Sequence, residues 1–427
     1  MILIYRFIIN FFFPIIIVII FLRTFFNKED KNRYKEKIYP SSYNVERNKT
    51  KKLFWFHAAS IGELKSIVPI IKKLNLDNNL REFLITTSTL SSSRIAKLEF
   101  KKMKNISHRF LPYDVDFLIN SFLKMWRPNY IFLVDSEIWP NLILKAKKFS
   151  IPVAIINARI TSKSYKKWIK FPKTAFKIFS SIKLCLTSNK ETKKFLESFE
   201  VKNVFYYGNI KFINDINENE ITNLNENKLI NSPFWFAAST HNGEEELCLK
   251  THHFLKDKYK NILTIIAPRH IERSKEIKNL CKKYKLNSQI LNYDELIKPN
   301  VEIVILNSFG VLQNYFKYAK SVFIGKSTIQ SLEEVGGQNP LEAVKLNCKI
   351  YHGRYVYNFK DIYEILEKNN ISFKIKDHEE LGRYLEKDLD PAQKKDDKIS
   401  EIISVLSNKT LVNTLREVDN FLLNEAD

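Results

Sequence analysis

Short apolar runs alternate along the chain with segments in which apolar residues recur every three or four positions. The run from Leu53 to Ala58 is followed by helically spaced apolar residues between Leu64 and Ile71. The same pairing recurs in the first half at Phe83–Ile85, Tyr130–Val134 and Val153–Ile156. Strands that alternate with helices predict an α/β fold with a doubly wound, mostly parallel sheet.

The pattern restarts after an Asn- and Glu-rich segment at residues 214–231, which we interpret as a linker. Apolar runs then follow at Ile262–Ala267, Val301–Leu306 and Ser321–Ile324. Phe54-Trp55-Phe56 is echoed by Phe234-Trp235-Phe236, and each triplet is followed by a Gly-Glu pair. A chance echo is the alternative, but the prediction of two Rossmann-like domains facing a cleft does not depend on it. Ligands of such sheets bind at the carboxyl ends of the strands.

The amino terminus is apolar from Ile2 to Leu22 except for Arg6 and Asn10. A helix that spans a bilayer needs about 20 residues, so this segment predicts a membrane anchor that either spans or lies in the interface. A cleavable signal peptide and a buried core helix are the alternatives. Six basic residues between Arg23 and Lys37 predict a cytoplasmic location for the body of the protein.

The composition is basic, since 69 Lys and Arg against 47 Asp and Glu give a formal charge of +22. Such an excess favours a polyanionic partner, either nucleic acid or an anionic membrane. The 4 cysteines lie far apart, which predicts neither a zinc site nor a disulfide framework and favours a reducing compartment. The 8 histidines form no recognisable ligand set, so we expect no metal and no other cofactor.

Phosphate-binding glycine motifs of dinucleotide enzymes and ATPases are absent from the sequence. Two other junctions, Ser60–Glu63 and Ser239–Glu244, each stand between a predicted strand and a predicted helix start. Free backbone N–H groups and the helix dipole favour an anion there. Ordinary helix capping by the same Ser and Thr side chains is the alternative.

Several motifs in a fixed order carry a resemblance to a known family. They are His57-Ala-Ala-Ser-Ile-Gly-Glu63, Leu111-Pro-Tyr-Asp114, Asp135-Ser-Glu-Ile-Trp-Pro-Asn141, Asn157-Ala-Arg159, Gly208-Asn-Ile-Lys211, Ser239-Thr-His241 with Gly243-Glu-Glu245, Pro268-Arg-His-Ile-Glu-Arg273 and Gly336-Gly-Gln-Asn-Pro-Leu-Glu-Ala343. Together with the apolar amino terminus, they resemble the Kdo (3-deoxy-D-manno-octulosonic acid) transferases of lipopolysaccharide assembly. The resemblance implies a membrane-anchored glycosyltransferase of the GT-B fold.

The activity that this resemblance implies is transfer of Kdo from CMP-Kdo to the lipid A precursor, lipid IVA, with inversion and without a metal. It places the general base on Glu63 and the transition-state positions on Asp135 and Lys211. A Glu is usual in the family where Asp135 stands. The residues alone leave a structural alternative open for each of these positions. Glu63 would close a capping box with Ser60, Asp135 would form an Asx turn, and Lys211 would lie at the surface.

The resemblance also implies the residues that bind CMP. They are Pro268, Arg269, Phe309, Gly310, Val311, Asn339, Pro340, Leu341 and Glu342. Arg269 suits the phosphate through a charge-assisted contact, and Glu342 suits the ribose hydroxyls. Lys326 departs from the family pattern because a second Gly is usual there.

With this family in view, we predict the following organisation. Residues 1–25 form a membrane anchor, 26–50 a basic linker, 51–213 the acceptor domain, 214–231 a linker, 232–405 the CMP-Kdo-binding domain and 406–427 a C-terminal helix. The expected partners are CMP-Kdo, the lipid A precursor and anionic lipids of the bacterial inner membrane, with no nucleic acid. The alternatives are a membrane-surface GT-B glycosyltransferase with another nucleotide sugar and a basic, non-catalytic nucleic-acid-binding protein.

Overall fold

A computed structural model of the chain describes residues 1–40, 47–48, 50–76, 80–214, 216–393 and 395–425. Parts of the predicted linkers, of both predicted domains and of the C-terminal helix (41–46, 49, 77–79, 215, 394 and 426–427) lie outside the described residues. The chain forms two compact units. The first unit comprises Met1–Asn214 with Leu406–Asp427, and the second comprises Asp215–Val405.

The described residues of the first unit form a sheet of seven parallel strands. They are β1 (Lys52–His57), β2 (Arg81–Thr87), β3 (Ile106–Phe110), β4 (Tyr130–Val134), β5 (Val153–Ala158), β6 (Leu184–Thr187) and β7 (Val204–Phe205), in the spatial order β3-β2-β1-β4-β5-β6-β7. The helices are α1 (Ile2–Phe25), α2 (Ile61–Leu76), α3 (Leu90–Glu99), α4 (Asp116–Trp126), α5 (Pro140–Lys148), α6 (Ser162–Trp168), α7 (Pro172–Phe179) and α8 (Lys190–Ser198). Near-continuous apolar strands are typical of a parallel sheet that helices cover on both faces.

The second unit repeats this architecture. Its strands are β8 (Phe234–Thr240), β9 (Leu263–Pro268), β10 (Ser288–Leu291), β11 (Ile303–Leu306), β12 (Ser321–Ile324), β13 (Lys349–His352) and β14 (Ser372–Lys374), in the order β10-β11-β9-β8-β12-β13-β14. Its helices are α9 (Glu226–Asn231), α10 (Glu244–Lys256), α11 (Ser274–Lys283), α12 (Gln313–Phe316), α13 (Leu341–Lys345), α14 (Lys360–Lys368) and α15 (His378–Asp388). The last helix, α16 (Lys398–Asn424), crosses from the second unit into the first.

Alternate residues of β1 supply the two cores of the first unit. Trp55 is fully buried among residues of α4, α5 and α7 on one face of the sheet. Phe54 and Phe56 belong to the opposite face, which α2 and α16 cover. Burial of an aromatic side chain contributes about 1.5–3 kcal/mol, so both helical layers are held to the central strand.

Helix α1 is long and apolar enough to cross a membrane, and its 18-residue apolar window is not buried. Polar contacts nevertheless attach its first turns to the first unit. The Tyr5 hydroxyl donates to Asp114 at 2.9 Å, and Arg6 pairs with Asp116 at 3.0 Å. The ring of Phe13 packs edge-on against Phe117 of α4 at 5.4 Å. Helix α1 therefore lies against the layer formed by α4 and α5, and Ile20 and Thr24 near its end are also buried.

The described residues that follow α1 pack against the same unit. Lys37 is buried and pairs with Glu29 at 2.6 Å. Arg33 pairs with Glu36 at 2.8 Å, and the Glu36 carboxylate accepts a hydrogen bond from the Phe110 N–H at 2.7 Å. Part of the positive charge after the apolar helix is thus neutralised inside the fold.

Candidate active site

The first candidate site lies at the carboxyl ends of β1 and β4, which are adjacent and parallel. His57, the last residue of β1, stands beside Leu133 of β4. The connection after β1 carries Glu63 in the first turn of α2, and the connection after β4 carries Asp135 and Glu137. Three carboxylates from two connections therefore meet at one edge of the sheet.

The Glu63 carboxylate is held by its own turn. It accepts hydrogen bonds from the Ala59 N–H at 2.7 Å, the Ser60 N–H at 3.4 Å and the Ser60 hydroxyl at 2.9 Å. The Glu63 N–H donates in return to the Ser60 hydroxyl at 3.3 Å, which is the reciprocal pattern of a capping box. The capping arrangement is thus present, and it fixes the orientation of the carboxylate.

The environment of Glu63 raises its pKa above the ordinary value for a glutamate. Burial is the largest cause, and the negative charges of Asp135 and Glu137 act in the same direction. Hydrogen bonds from Ser60 and Ala59 oppose the rise without cancelling it. A helix start by itself favours the ionised form of a carboxylate, but burial and the neighbouring negative charges outweigh that effect at Glu63. A raised pKa makes the carboxylate a stronger base near neutral pH.

Asp135 and Lys211 form a direct ion pair at the same edge. Lys211 Nζ lies 2.6 Å from Asp135 Oδ2, so the shorter aspartate still reaches the lysine. The other carboxylate oxygen accepts a hydrogen bond from the Asn157 side chain. Asp135 has a positive φ of 59°, a conformation that Asp tolerates better than most residues. Its side chain is thus aimed at Lys211 and Asn157.

The Glu137 carboxylate lies within hydrogen-bonding distance of two side-chain ring nitrogens. Its carboxylate accepts a hydrogen bond from Trp139 Nε1 at 2.8 Å and lies 3.3 Å from His57 Nε2. The other imidazole nitrogen of His57 lies 3.1 Å from the Thr86 carbonyl oxygen. This network holds Glu137 beside the edge where Glu63 and Asp135 meet.

The positions expected to bind CMP lie on three connections of the second sheet. Pro268 ends β9, and the exposed Arg269 follows it, with its backbone N–H donating to the Thr240 carbonyl at 3.0 Å. Phe309 and Gly310 are exposed after β11, and Val311 is buried. The remaining positions precede or open α13: Asn339 is exposed, Pro340 and Leu341 are buried, and Glu342 is half-buried.

Strands β11, β9, β8 and β12 are consecutive in the sheet, so these connections leave the same edge. The buried side chain of Leu341 packs inside the unit, and its backbone N–H donates to the Asn339 side chain at 3.1 Å. Arg269, Asn339 and Glu342 are the predicted members whose polar side chains are accessible at this edge.

Glu244 organises a connection at this edge. Its fully buried carboxylate accepts backbone hydrogen bonds from His241 at 2.9 Å, Lys326 at 2.6 Å, Ser327 at 2.8 Å and Thr328 at 3.1 Å. The Thr328 hydroxyl donates a fifth, at 3.0 Å. One carboxylate from the β8 connection thereby fixes the loop that follows β12.

Two residues of that loop have special backbone requirements. A Cβ at Gly325 would lie 2.6 Å from the Ser239 carbonyl oxygen, so only glycine fits. Lys326 has a positive φ of 59°, the left-handed region that glycine adopts without penalty. The Gly that the resemblance implies at position 326 would adopt this conformation without penalty, whereas the lysine of this chain adopts it under strain.

Sequence reasoning assigned no role to Asn157, His57 or Glu244, although all three stand in quoted motifs. Asn157 has a positive φ of 61°, its side-chain N–H donates to the Asp135 carboxylate, and its side-chain oxygen Oδ1 accepts from the Ile210 N–H at 3.1 Å. It therefore joins the Asp135 connection to the turn that carries Lys211. The motif Asn157-Ala-Arg159 was the available signal, but the contact to residue 210 requires the fold.

The fold defines the class first. A UDP-N-acetylglucosamine 2-epimerase structure aligns over 89% of this chain and 97% of its own, with a TM-score of 0.59 at 11% identity. The enzyme of the same name from Neisseria meningitidis aligns over 88% and 100%, with a TM-score of 0.57 at 14% identity. The two parallel seven-stranded sheets and these neighbours show the expected GT-B-like fold.

Sequence comparison then gives the family. A family model described as 3-deoxy-D-manno-octulosonic-acid transferase (kdotransferase) matches residues 32–214. The 3-deoxy-D-manno-octulosonic acid transferase of Rickettsia bellii is 33% identical over 384 residues, 88% of each chain. That of Haemophilus influenzae is 30% identical over 317 residues, 73% of each chain. The chain belongs to the Kdo transferase family, and its expected activity as a glycosyltransferase of lipopolysaccharide biosynthesis is confirmed.

Proposed function

We propose that the chain transfers Kdo from CMP-Kdo to the lipid A precursor, lipid IVA, with inversion at the anomeric carbon and without a metal. The observation that carries this proposal is the Glu63 carboxylate, which is fixed by its own turn beside Asp135 and Glu137. Among the described residues no cation pairs with it. A base with a raised pKa and no bound counterion is ready to accept a proton.

In the proposed displacement, the acceptor hydroxyl oxygen attacks the anomeric carbon of Kdo while Glu63 takes the hydroxyl proton. The bond from that carbon to the phosphate oxygen breaks, and its electron pair leaves with CMP. A single displacement of this kind inverts the configuration. The Asp135–Lys211 pair supplies a fixed cation beside the base, where it can stabilise the charge that develops in the transition state.

The second unit is proposed to bind the donor. Arg269 contacts the phosphate, and Glu342 accepts hydrogen bonds from the ribose hydroxyls. Phe309, Gly310 and Val311 provide backbone and apolar contacts to the nucleobase of CMP. The remaining members of the proposed site follow the loop fixed by Glu244, namely Asn339, Pro340 and Leu341.

We also propose that α1 anchors the protein in the bacterial inner membrane with both units on the cytoplasmic side. The exposed apolar window of α1 and the basic residues that follow it support this orientation. The anchor would hold the enzyme at the surface where a lipid acceptor lies. Release from membranes by a high-salt wash would contradict the anchor, because salt screens charges but leaves apolar insertion intact.

The test is incubation of the purified protein with CMP-Kdo and lipid IVA, followed by mass analysis of the lipid. A mass increase by whole Kdo residues is expected, and activity should persist in the presence of EDTA. Assignment of the anomeric configuration by NMR checks inversion. An unmodified lipid, with transfer from another nucleotide sugar, would contradict the proposed donor.

A further inference from the structure

A surface of the first unit combines exposed lysines with exposed apolar side chains. We call it the basic-aromatic face. Its members, all exposed, are Lys163, Lys166, Lys167, Ile169, Lys170, Phe171, Lys173, Phe176 and Lys177. They belong to α6, α7 and the turn between these helices.

The charge of this region is one-sided. The 53 residues from Ile138 to Lys190 include twelve Lys and Arg and no Asp or Glu. Within the described part of the chain, the six lysine side chains of the basic-aromatic face take part in no ion pair. Their charge is therefore available to a partner from outside the fold.

The apolar members of the face are not needed by the core. Helix α7 buries Ala175, Ile178 and Phe179 on its inner side. Phe176 is 45% exposed and Phe171 is 42% exposed, on the outer side. Aromatic side chains that remain half-exposed among lysines are typical of surfaces that dip into the headgroup region of a bilayer.

The face lies on the same layer as the apolar helix α1. Helix α5 contacts α7, and residues of α4, α5 and α7 share one core cluster with Tyr165 and Trp168 of α6. Helix α1 is attached to that layer through Arg6, which donates to the Asn141 side chain of α5 at 2.8 Å. A membrane-directed helix and the basic-aromatic face therefore cover one side of the first sheet.

We infer that the basic-aromatic face is a second membrane contact that binds anionic phospholipid, an inference that rests on the proposed membrane location. Lysines near an anionic bilayer strengthen binding by about five-fold each. Isolated lysines and aromatics would also suit single-stranded nucleic acid, but the shared layer with α1 favours a bilayer. The contact orients the first unit relative to the membrane, which a single helix alone does not do.

The experiment places a fluorescent probe on the face in the full-length protein. Because all four native cysteines are buried, a Phe176→Cys variant can be labelled selectively with an environment-sensitive dye. Leu98→Cys, on the exposed side of α3, is the matched control, since Leu98 is 70% exposed on the layer that covers the opposite face of the sheet. Each protein is reconstituted in vesicles of phosphatidylcholine alone or of phosphatidylcholine with phosphatidylglycerol.

We expect the emission of the probe at position 176 to shift to the blue, and the probe to be protected from an aqueous quencher, in the anionic vesicles only. The probe at position 98 should show neither change. Adding Lys170→Glu, Lys173→Glu and Lys177→Glu, or raising the salt concentration, should abolish that protection. Equal signals at 98 and 176, equal protection in neutral vesicles, or protection by an oligonucleotide but not by vesicles would overturn the inference. The readout requires no sugar transfer, so it fails or succeeds independently of the Kdo transfer assay.

Discussion

Glu63 and Glu244 occupy the same place in the two halves of the chain, each after a glycine at the start of a helix that follows the first strand of its sheet. Their surroundings differ. The carboxylate of Glu244 is fully buried and accepts five hydrogen bonds. One comes from His241, in the turn before the helix, and four come from the loop that follows β12. Glu63 accepts three, all from Ala59 and Ser60.

The difference distinguishes a carboxylate that stabilises the fold from one that is available for proton transfer. Glu244 has its lone pairs occupied by donors that would be buried and unsatisfied without it. Glu63 is only partly buried, and two neighbouring carboxylates raise its pKa. The same Gly-Glu step therefore closes a loop in the second unit and presents a base in the first.

The largest effect on stability is expected from Glu244→Gln. The amide cannot accept all five hydrogen bonds and places its own N–H groups against backbone donors, at a cost of about 3 kcal/mol or more. Urea unfolding should show this loss, whereas Glu63→Gln measured in parallel should show none. Equal, small effects at both positions would remove the distinction between the two glutamates.

Asp135→Asn tests the ion pair beside the base. Because the ion pair between Asp135 and Lys211 is lost, we expect transfer to fall by about 10²-fold, the scale of a lost electrostatic contact at a reacting centre. Loss of the Asp135 charge should also lower the pKa of Glu63 and move the acid limb of the rate profile to lower pH. Glu99→Gln, which removes a carboxylate paired with Lys72 at the surface, is the control and should leave turnover unchanged.

On the donor side, Arg269→Ala should weaken CMP binding by about 1.5–3 kcal/mol through the loss of a charge-assisted contact. Calorimetry with CMP measures the change. Arg383→Ala removes the same charge from the exposed surface of α15 and should bind CMP normally. If both variants behave alike, Arg269 is not at the phosphate.

The smallest effect concerns the strained lysine of the loop fixed by Glu244. Lys326→Gly removes the strain of a left-handed conformation, about 1–2 kcal/mol, but raises the entropic cost of folding by about 0.5–1 kcal/mol, so a net gain in stability of about 0–1.5 kcal/mol is expected. Thermal unfolding of Lys278→Gly, in the interior of α11, should show the opposite sign. A loss of stability at 326 would mean that the lysine side chain contributes more than its backbone costs.

The strands that carry the site could be predicted because their apolar runs are long and are buried on both faces, as in β1, β4 and β9. The strands at the edges of the two sheets, β3, β7, β10 and β14, were not predicted. Ile106–Phe110 has a partly buried, polar-looking pattern, and Val204–Phe205 has two residues. Such short strands are defined by their neighbours in the sheet rather than by their own sequence.

The same limit applies to the site. Motifs identified Glu63, Asp135 and Lys211, but nothing in local sequence shows that Asn157 joins two connections or that Glu244 binds residues more than 80 positions away. The direction in which the pKa of Glu63 is shifted could not be predicted from the sequence either, because it depends on burial and on the charges of the β4 connection. Local sequence indicated only the helix start.

The most direct test is the pH dependence of Kdo transfer and of stability in Glu63→Gln. The amide keeps the cap, since its oxygen can accept from Ala59 and its N–H can donate to Ser60, but it removes the basicity. We expect CMP binding to persist, transfer to fall by about 10²-fold or more on the pH plateau of the wild type, and the profile of the variant to lack the acid limb.

The stability of the same variant provides an independent test of the raised pKa of Glu63. Because the pKa of Glu63 is raised in the folded protein, the wild type loses stability as the pH rises from the ordinary carboxyl range through that raised pKa. Glu63→Gln should therefore be as stable as the wild type in acid and at least as stable at neutral pH. Near-normal transfer by a folded Glu63→Gln protein would contradict the account and would assign Glu63, like Glu244, to structure.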